Sequence, residues 1–232
     1  MERQSWLLLH GAGGGGWEWA IWDRVLRALG GVVAAPDLVA GARGLAATTL
    51  DDYRTQAAAA ARAADRAPVL VGASLGGLLA LQVAAAAPLR ALGLVNPLPP
   101  APWHGLLPPR DASPALVPWG RNASLLSTRR ALPDASDATC EWAWRRWRDE
   151  SGAVVDAARA GIEVARPRCP VLVIASEADD DVPVAASAAL AQAWAASLWR
   201  LPGTSHVGPL LGRGAASCAA RVAAWVDSLP PP

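Results

Sequence analysis

The sequence predicts an α/β fold: a mostly parallel central sheet of about six strands with helices on both faces, interrupted by a helical insertion. Short apolar runs alternate with longer helical stretches towards both ends of the chain, which is typical of strand–helix–strand units. The strand runs are continuously apolar, as expected for strands that are buried on both faces. The alternation fails over residues 97–168, which predicts a core of residues 1–96 and 169–232 around an inserted lid.

The elements of the first core part follow in order. The predicted strands cover residues 5–9, 32–35, 69–71 and 91–95, and the predicted helices cover residues 18–29, 50–64 and 75–87. Gly30 and Gly31 end the first helix, as glycine commonly does after a helix C-terminus. Thr49 and Asp52 have the spacing of a capping box, which predicts the start of the second helix.

The second core part adds two strands and two helices. The strands are predicted at residues 171–174 and 197–201, and the helices at residues 183–196 and 215–228. The segment 97–168 is rich in proline and then helical around residues 139–148, with Trp144 and Trp147 on one helix face and Arg145 and Arg148 on another. We expect this segment to cover the carboxyl edge of the sheet as a lid.

The composition excludes several classes of function. The 21 basic and 20 acidic residues give a net charge of +1, so we expect neither nucleic acid nor a membrane surface as a partner. Every basic residue is arginine, and the missing lysine excludes Schiff-base and P-loop chemistry. Phenylalanine is also absent, whereas tryptophan occurs 12 times, and the alanine, glycine, proline and arginine content indicates a G/C-rich bacterial genome.

The cysteines and the apolar segments favour a cytoplasmic protein. Three widely spaced cysteines fit neither a disulfide framework nor a zinc site. The first residues hold too short an apolar run for a signal peptide. Residues 67–89 carry no charge and have the length of a membrane span, but their glycines and prolines favour a buried strand, a turn and a helix. The sequence does not define the oligomeric state.

A glycine run gives the first candidate site. Residues 11–16 match G-x-G-x-x-G between a strand and a helix, and Asp37 ends the next predicted strand. This is the pattern of a dinucleotide-binding turn with its acidic ribose ligand. Because a run of glycines matches this pattern easily, a dinucleotide-binding or non-catalytic protein remains an alternative.

A serine motif gives the second candidate site. Residues 72–76 read G-A-S-L-G, which matches G-x-S-x-G between a strand and a helix and makes Ser74 a candidate nucleophile. Such a serine needs a histidine as its base and a carboxylate that orients the histidine. His206 follows the last predicted strand, and several carboxylates, among them Asp179, Asp180 and Asp181, follow the strand before it.

These motifs resemble the α/β-hydrolase superfamily over essentially the whole chain. In that family the acid commonly lies four residues before a proline, and Asp179 stands four residues before Pro183. The resemblance therefore implies a triad of Ser74, Asp179 and His206. It also implies an oxyanion hole formed by two backbone N–H groups, those of Ala12 and Leu75.

A short match points to a branch of the family. The glycine run followed by Trp17 and Trp19 resembles plant methylesterases and hydroxynitrile lyases, and the lyases of that branch use a lysine that this chain lacks. By the same resemblance the chain starts at the family's third strand, and His10 is a structural histidine in the turn. Asn96 lies near the position where some members carry the acid, but an amide cannot replace a carboxylate.

The predicted function is hydrolysis of an ester or lactone of a small hydrophobic or aromatic molecule by a serine hydrolase, without cofactor or metal. Gly13, Trp17, Trp144 and Trp147 are the candidate pocket residues. The alternative for these tryptophans is that they replace phenylalanine and tyrosine in the core. A thioesterase or a carbon–carbon bond hydrolase with the same triad is the alternative function.

Overall fold

Continuous apolar strands form the centre of the molecule, as the sequence predicts. The structure is a computed structural model that describes residues 3–231, so residues 1, 2 and 232 of the predicted core lie outside the described part. The strands of the main sheet are β1 (Ser5–Leu9), β2 (Val32–Ala34), β3 (Val69–Ala73), β4 (Ala91–Val95), β7 (Val171–Ser176) and β8 (Ser197–Leu201). They pair in the order β2-β1-β3-β4-β7-β8, and every pair is parallel.

The helices of the core are α1 (Ala20–Ala28), α2 (Leu50–Arg62), α3 (Leu75–Ala84), α7 (Val184–Trp194), α8 (Gly208–Leu211) and α9 (Ala215–Asp227). A 3-10 turn at Gly16–Trp19 precedes α1. The predicted capping box is confirmed, because the Asp52 N–H donates to Thr49 Oγ1 and the Thr49 N–H donates to Asp52 Oδ2. The predicted core elements are thus confirmed, with ends that differ by up to three residues.

Alternate side chains of the strands point to opposite faces of the sheet and build two cores. On one face Leu7, Leu70 and Leu92 pack with residues of α2, α3 and α7. On the other face Leu8 and Val71 pack with residues of α1, α8 and α9. Because β3 and β4 are buried along their whole length, the residues that follow these strands are fixed at the carboxyl edge of the sheet.

Residues 97–168 contain β5 (Leu116–Val117), α4 (Leu125–Ala131), α5 (Asp137–Trp144), β6 (Glu150–Ser151) and α6 (Gly152–Arg159). The strands β5 and β6 pair antiparallel. Cys140 and Ala143 of α5 belong to the core that contains α1 and α9, whereas Val154 and Ala158 of α6 belong to the opposite core. The segment therefore straddles the sheet and packs into both of its faces.

The predicted helix around residues 139–148 is wrong at its end. The helix α5 ends at Trp144, and the following residues form a turn. The backbone leaves the helix because the Arg148 N–H donates to the carbonyl oxygen of Gly13, at 2.8 Å, in the glycine loop of residues 11–16. Trp147 and Arg148 consequently do not lie on two faces of one helix.

No helix within residues 3–231 has both the length and the apolar character that a membrane crossing requires. The uncharged stretch at residues 67–89 is divided between β3, the turn at Ser74 and α3. This division agrees with the prediction made from its glycines and prolines.

Candidate active site

Ser74 occupies a sharp turn between β3 and α3. Its backbone has φ 52° and ψ −118°, a left-handed conformation that a residue with a side chain rarely adopts. The turn is tight enough that a Cβ atom at Gly76 would overlap the backbone carbonyl oxygen of Leu9. The sequence therefore needs glycine beside the serine, and the turn places Ser74 at the N-terminus of α3 and at the carboxyl edge of the sheet.

His206 and Asp179 form a hydrogen-bonded pair at the same edge. The distance from His206 Nδ1 to Asp179 Oδ2 is 2.6 Å, and the Asp179 side chain is 1% exposed. The second carboxylate oxygen of Asp179 accepts the N–H groups of Asp181 and Val182, each at 2.8 Å. Asp179 is thus held from both sides and orients one ring nitrogen of His206. The structure brings Asp179, but not Asp180, into contact with this histidine.

The Asp179 carboxylate also determines the charge preference of His206. Burial by itself lowers the pKa of His206, but the hydrogen bond and the negative charge of Asp179 outweigh this effect and raise the pKa above the ordinary histidine value. The pair therefore favours a protonated imidazole. A histidine of this kind can accept a proton and be stabilised in the resulting charged form.

Asn96 ties the loops of the histidine and the acid together. It follows β4 with φ 42° and is buried. Its Oδ1 accepts the N–H of Ser176 at 2.7 Å, and its Nδ2 donates to the carbonyl oxygen of His206 at 2.7 Å. In the sequence this residue is notable only as an amide near the position where some family members carry the acid. A polar residue directly after a buried strand is the signal that pointed to its position.

Carboxylates of the chain hold the amides of the glycine loop. The bonded pairs are Gly11 N–H with Glu18 Oε2 at 3.3 Å, Gly13 N–H with Glu150 Oε2 at 3.0 Å, and Gly16 N–H with Asp37 Oδ1 at 2.7 Å. These amides are the groups that a dinucleotide pyrophosphate would need. The arrangement disfavours the dinucleotide-binding alternative, since Asp37 serves the loop itself.

The backbone N–H groups of Ala12 and Leu75 lie at this edge of the sheet. Within residues 3–231, neither the Ala12 N–H nor the Leu75 N–H donates a hydrogen bond. Ala12 lies in the glycine loop, whereas Leu75 is the first residue of α3. An unpartnered N–H group at such a position is available to an oxygen atom of a bound molecule.

A mainly apolar cavity of about 300 Å³ brings these groups together. Ser74, His206, Ala12 and Leu75 all line it. Its apolar and aromatic lining also includes Leu98, Trp119, Trp147, Val155, Val207 and Leu210. An open groove of about 750 Å³ beside α1 contains none of the candidate catalytic residues. The smaller cavity is therefore the candidate active site.

The structure brings two of the four predicted pocket residues to this cavity. Gly13 and Trp147 line it, whereas Trp17 and Trp144 do not. Trp17 packs edge-to-face on Trp147 with 4.9 Å between the ring centres. Trp144 ends α5, with the guanidinium of Arg145 5.0 Å from its ring centre. For Trp144 this outcome follows from the early end of α5, whereas Trp17 packs on Trp142 and Trp147 instead of lining the cavity.

Other tryptophans divide between core and cavity. Trp19 and Trp22 are fully buried and pack edge-to-face at 5.1 Å, as core aromatic residues do. Trp119 lines the cavity although the sequence did not single it out for the pocket. Its position depends on the pairing of β5 with β6, which no local pattern reveals.

His10 is held inside the glycine turn. Its Nδ1 lies 2.8 Å from the carbonyl oxygen of Gly11, and its Nε2 accepts the N–H of Leu38 at 2.8 Å. Burial lowers the pKa of His10 to about 4, so the ring is neutral with its proton on Nδ1. Both ring nitrogens bond to the backbone, which agrees with the structural role implied for this residue.

Glu18 is a functional-site residue that sequence reasoning missed. It is buried, lines the cavity and accepts the Gly11 N–H. Burial raises the pKa of Glu18 to about 7, even though the hydrogen bond from Gly11 and the nearby charge of His206 lower it. Its place between two tryptophans in a 3-10 turn gave no signal of burial in the sequence.

Within residues 3–231, Asp179, Asp181 and His206 form the one cluster of possible metal ligands, with a donor atom of each within 4.8 Å of the others. Asp179 and His206 already share a hydrogen bond of 2.6 Å. This hydrogen bond already engages two of the three members of the cluster with each other.

Comparison with known proteins supports the architecture. The model of the alpha/beta hydrolase family matches residues 6–225. Among solved structures, polyneuridine aldehyde esterase is 17% identical, with a TM-score of 0.72 over 96% of this chain and 100% of that chain. A methylesterase protein from Arabidopsis is 15% identical, with a TM-score of 0.74 over 97% of this chain and 100% of that chain.

A pyrethroid hydrolase from Sphingobium faniae JZ-2 is 18% identical, with a TM-score of 0.69 over 98% of both chains. A search of the curated proteins found no significant match. The plant methylesterase lies in the branch that the sequence resembled, and the family match covers almost the whole chain. The chain is therefore a member of the alpha/beta hydrolase family.

Proposed function

We propose that this protein is a serine hydrolase that cleaves a carboxylic ester or lactone of a small hydrophobic or aromatic molecule. The observation that carries the proposal is the common cavity of Ser74 and the Asp179-bonded His206. The names of the structural neighbours, two esterases and a pyrethroid hydrolase, support ester hydrolysis in particular. The apolar lining of the cavity supports a hydrophobic substrate.

In the proposed mechanism, Ser74 Oγ attacks the ester carbonyl carbon while His206 Nε2 takes the serine proton. The C–O bond of the ester then breaks, and His206 gives the proton to the leaving alcohol. Water, activated by His206 in the same way, attacks the acyl-enzyme and releases the acid and Ser74. Asp179 holds the histidine tautomer and stabilises the imidazolium that forms.

The Ala12 and Leu75 N–H groups would bind the oxyanion of each tetrahedral intermediate. Preorganised donors of this kind contribute about 3–4 kcal/mol each to the stability of the transition state. Residues 97–168 would act as a fixed lid, since this segment supplies Trp119 and Trp147 to the cavity wall. A fixed apolar wall excludes water from the acyl group and leaves access for the hydrolytic water at the mouth.

The first prediction concerns the nucleophile. We expect a fluorophosphonate probe to label the wild-type protein on Ser74, and the Ser74→Ala variant to lose this label. Hydrolysis of a 4-nitrophenyl ester is expected to fall by about 10³-fold or more in that variant. Mass spectrometry of the labelled peptide identifies the modified residue.

Ser127 provides a matched control because it lines the same cavity. The Ser127→Ala variant should label and hydrolyse like the wild type. Labelling that persists in Ser74→Ala, or activity in His206→Ala equal to that of the wild type, would contradict the proposed triad. Matched oxygen-ester and thioester substrates then distinguish an esterase from a thioesterase.

A further inference from the structure

Two arginines line the otherwise apolar cavity. Arg110 and Arg159 come from the segment 97–168, and both lie among the cavity-lining residues. Arg110 is exposed and Arg159 is partly buried, which places this charged side at the opening of the cavity. Neither residue has a part in the proposed mechanism, so their charge needs a separate explanation.

Neither arginine forms an ion pair with a carboxylate of residues 3–231. Within the part of the chain that the structure describes, no carboxylate oxygen lies within 4.0 Å of the guanidinium of Arg110 or Arg159. The Arg110 guanidinium carbon lies 5.7 Å from the ring centre of Trp119, and Arg159 Nη2 donates to the carbonyl oxygen of Pro108 at 2.6 Å. These contacts orient both groups and leave most of their N–H donors unused.

The two positive charges act on each other. Desolvation and the charge of Arg110 lower the pKa of Arg159 below the usual arginine range, while Asp181 partly offsets them. Like charges held together beside apolar surface favour the binding of an anion between them. A guanidinium offers a planar set of donors that fits a carboxylate in particular.

The negative groups of the cavity lie near the candidate catalytic residues. Glu18 bonds to the glycine loop, and Asp181 has a carboxylate oxygen within 4.8 Å of ligand atoms of His206 and Asp179. The acidic side chains of the cavity wall come from the core, and Asp181 acts on both His206 and Arg159, whereas both arginines come from the segment 97–168. The arginines form the positively charged side of the wall, which would attract an anionic group of the substrate.

We propose that the preferred substrate carries a carboxylate, separated from the scissile ester by an apolar chain, which Arg110 and Arg159 bind at the cavity opening. This inference rests on the proposed hydrolase function and names its substrate class. Leu98, Val155 and Leu210 contact the apolar chain in this arrangement, and Trp119 lies beside the carboxylate site.

The test compares two esters that differ only at the far end of the acyl chain. Mono-4-nitrophenyl adipate ends in a carboxylate, and 4-nitrophenyl hexanoate ends in a methyl group. We expect wild-type kcat/KM to favour the adipate ester. In the R110Q/R159Q double variant we expect this preference to fall at least tenfold, through a higher KM for the adipate ester, while kcat/KM for the hexanoate ester changes much less.

Two further variants separate charge from structure. Arg159→Lys keeps the positive charge and should retain much of the preference. Arg145→Gln removes an arginine that contacts Trp144 outside the cavity, and it should have no effect. The inference is overturned if the wild type prefers the hexanoate ester. It is also overturned if R110Q/R159Q leaves the adipate preference unchanged. Neither outcome contradicts the proposed hydrolase function.

A binding experiment keeps the inference testable if neither ester is hydrolysed. Calorimetry with the Ser74→Ala protein compares the anilide of adipic acid, which has a free carboxylate, with hexananilide. The carboxylate site is supported, independently of catalysis, if the free acid binds more tightly than hexananilide and if R110Q/R159Q removes this difference. Equal binding of both anilides overturns it.

Discussion

The carboxylate of Asp179 is the main group that raises the pH at which His206 gains its proton. The Asp179 charge and hydrogen bond raise the pKa of His206, and only the neutral imidazole can accept the serine proton. The acidic limb of kcat/KM should therefore lie above the ordinary histidine value, about 6.5.

Replacing Asp179 tests this assignment. In Asp179→Asn the negative charge is lost while burial remains, so we expect the acidic limb to move to lower pH. We also expect kcat to fall by about 10³–10⁴-fold because the histidine tautomer is no longer fixed. Asp180→Asn is the matched control, since Asp180 is exposed on the same loop. A pH profile of kcat/KM that is identical in Asp179→Asn and the wild type would exclude this role.

The buried carboxyl group of Glu18 makes the stability of the protein depend on pH. Burial raises the pKa of Glu18 to about 7 in the folded protein, compared with about 4.3 in an unfolded chain. At low pH both states are protonated and there is no penalty. As the pH rises from about 4 to 7, the unfolded state loses its proton first, so the folded protein loses stability, of the order of 3 kcal/mol in all.

The Glu18→Gln variant cannot ionise, and its amide oxygen can still accept the Gly11 N–H. We expect the free energy of unfolding of this variant, relative to the wild type, to rise between pH 4 and pH 7 and then to level off. Urea denaturation across this pH range measures the difference. A difference that does not vary with pH would show that folding does not change the pKa of Glu18.

Single residues differed in how well the sequence predicted them. The position of Ser74 follows from a local motif, and that of His206 follows from its place after the last strand. The place of Asn96 after a buried strand marks its position, but its role could not be found in this way because the groups that it bonds lie far away in the sequence. Glu18 bonds to Gly11, seven positions away, and its burial in a 3-10 turn has no local signature. The His206 carbonyl that Asn96 binds is 110 positions away.

At the scale of elements, the short strand β6 holds the glycine loop against the segment 97–168. Glu150 is buried, with 3% exposure. Its carboxylate accepts hydrogen bonds from the Gly13 N–H, the Tyr53 hydroxyl and the Ser151 N–H. One residue of the insertion thereby fixes the loop that carries the proposed oxyanion donor Ala12.

We expect Glu150→Ala to destabilise the protein by about 3 kcal/mol, since it leaves several buried donors unpaired. It should also lower kcat more than it raises KM, because the oxyanion loop loses its support. Tyr53→Phe removes one of these hydrogen bonds and is expected to cost about 1 kcal/mol with little change in kcat. Thermal unfolding and ester hydrolysis measure the two effects, and an equal loss of kcat in both variants would contradict this account.

The central strands β3 and β4 were predictable because burial on both faces gives strands a continuous apolar signature. The end of α5 was not, since its helical pattern continues past Trp144 while the backbone of Arg148 bonds to the glycine loop instead. The predicted pocket role of Trp144 depended on that helix and changed with it. Tertiary hydrogen bonds outweighed local helix propensity at this point.

For the whole molecule, the insertion and the sheet share their cores. Side chains of α5 and α6 lie in the cores on opposite faces, so the insertion cannot separate from the sheet without opening both. We expect the two to unfold together. Circular dichroism at far-ultraviolet wavelengths and tryptophan fluorescence should therefore give coincident thermal transitions, whereas a separate early fluorescence transition would indicate an independently folding lid.

The left-handed backbone of Ser74 lowers the stability of the folded protein in exchange for a correctly placed nucleophile. Holding a residue with a side chain at φ 52° costs the folded state roughly 1–2 kcal/mol, and glycine would adopt the same conformation without this strain. A chain that carried glycine at position 74 would gain robustness and lose its reactive hydroxyl. Selection for heat resistance alone would therefore tend to erase the nucleophile, and only selection for chemistry would retain it.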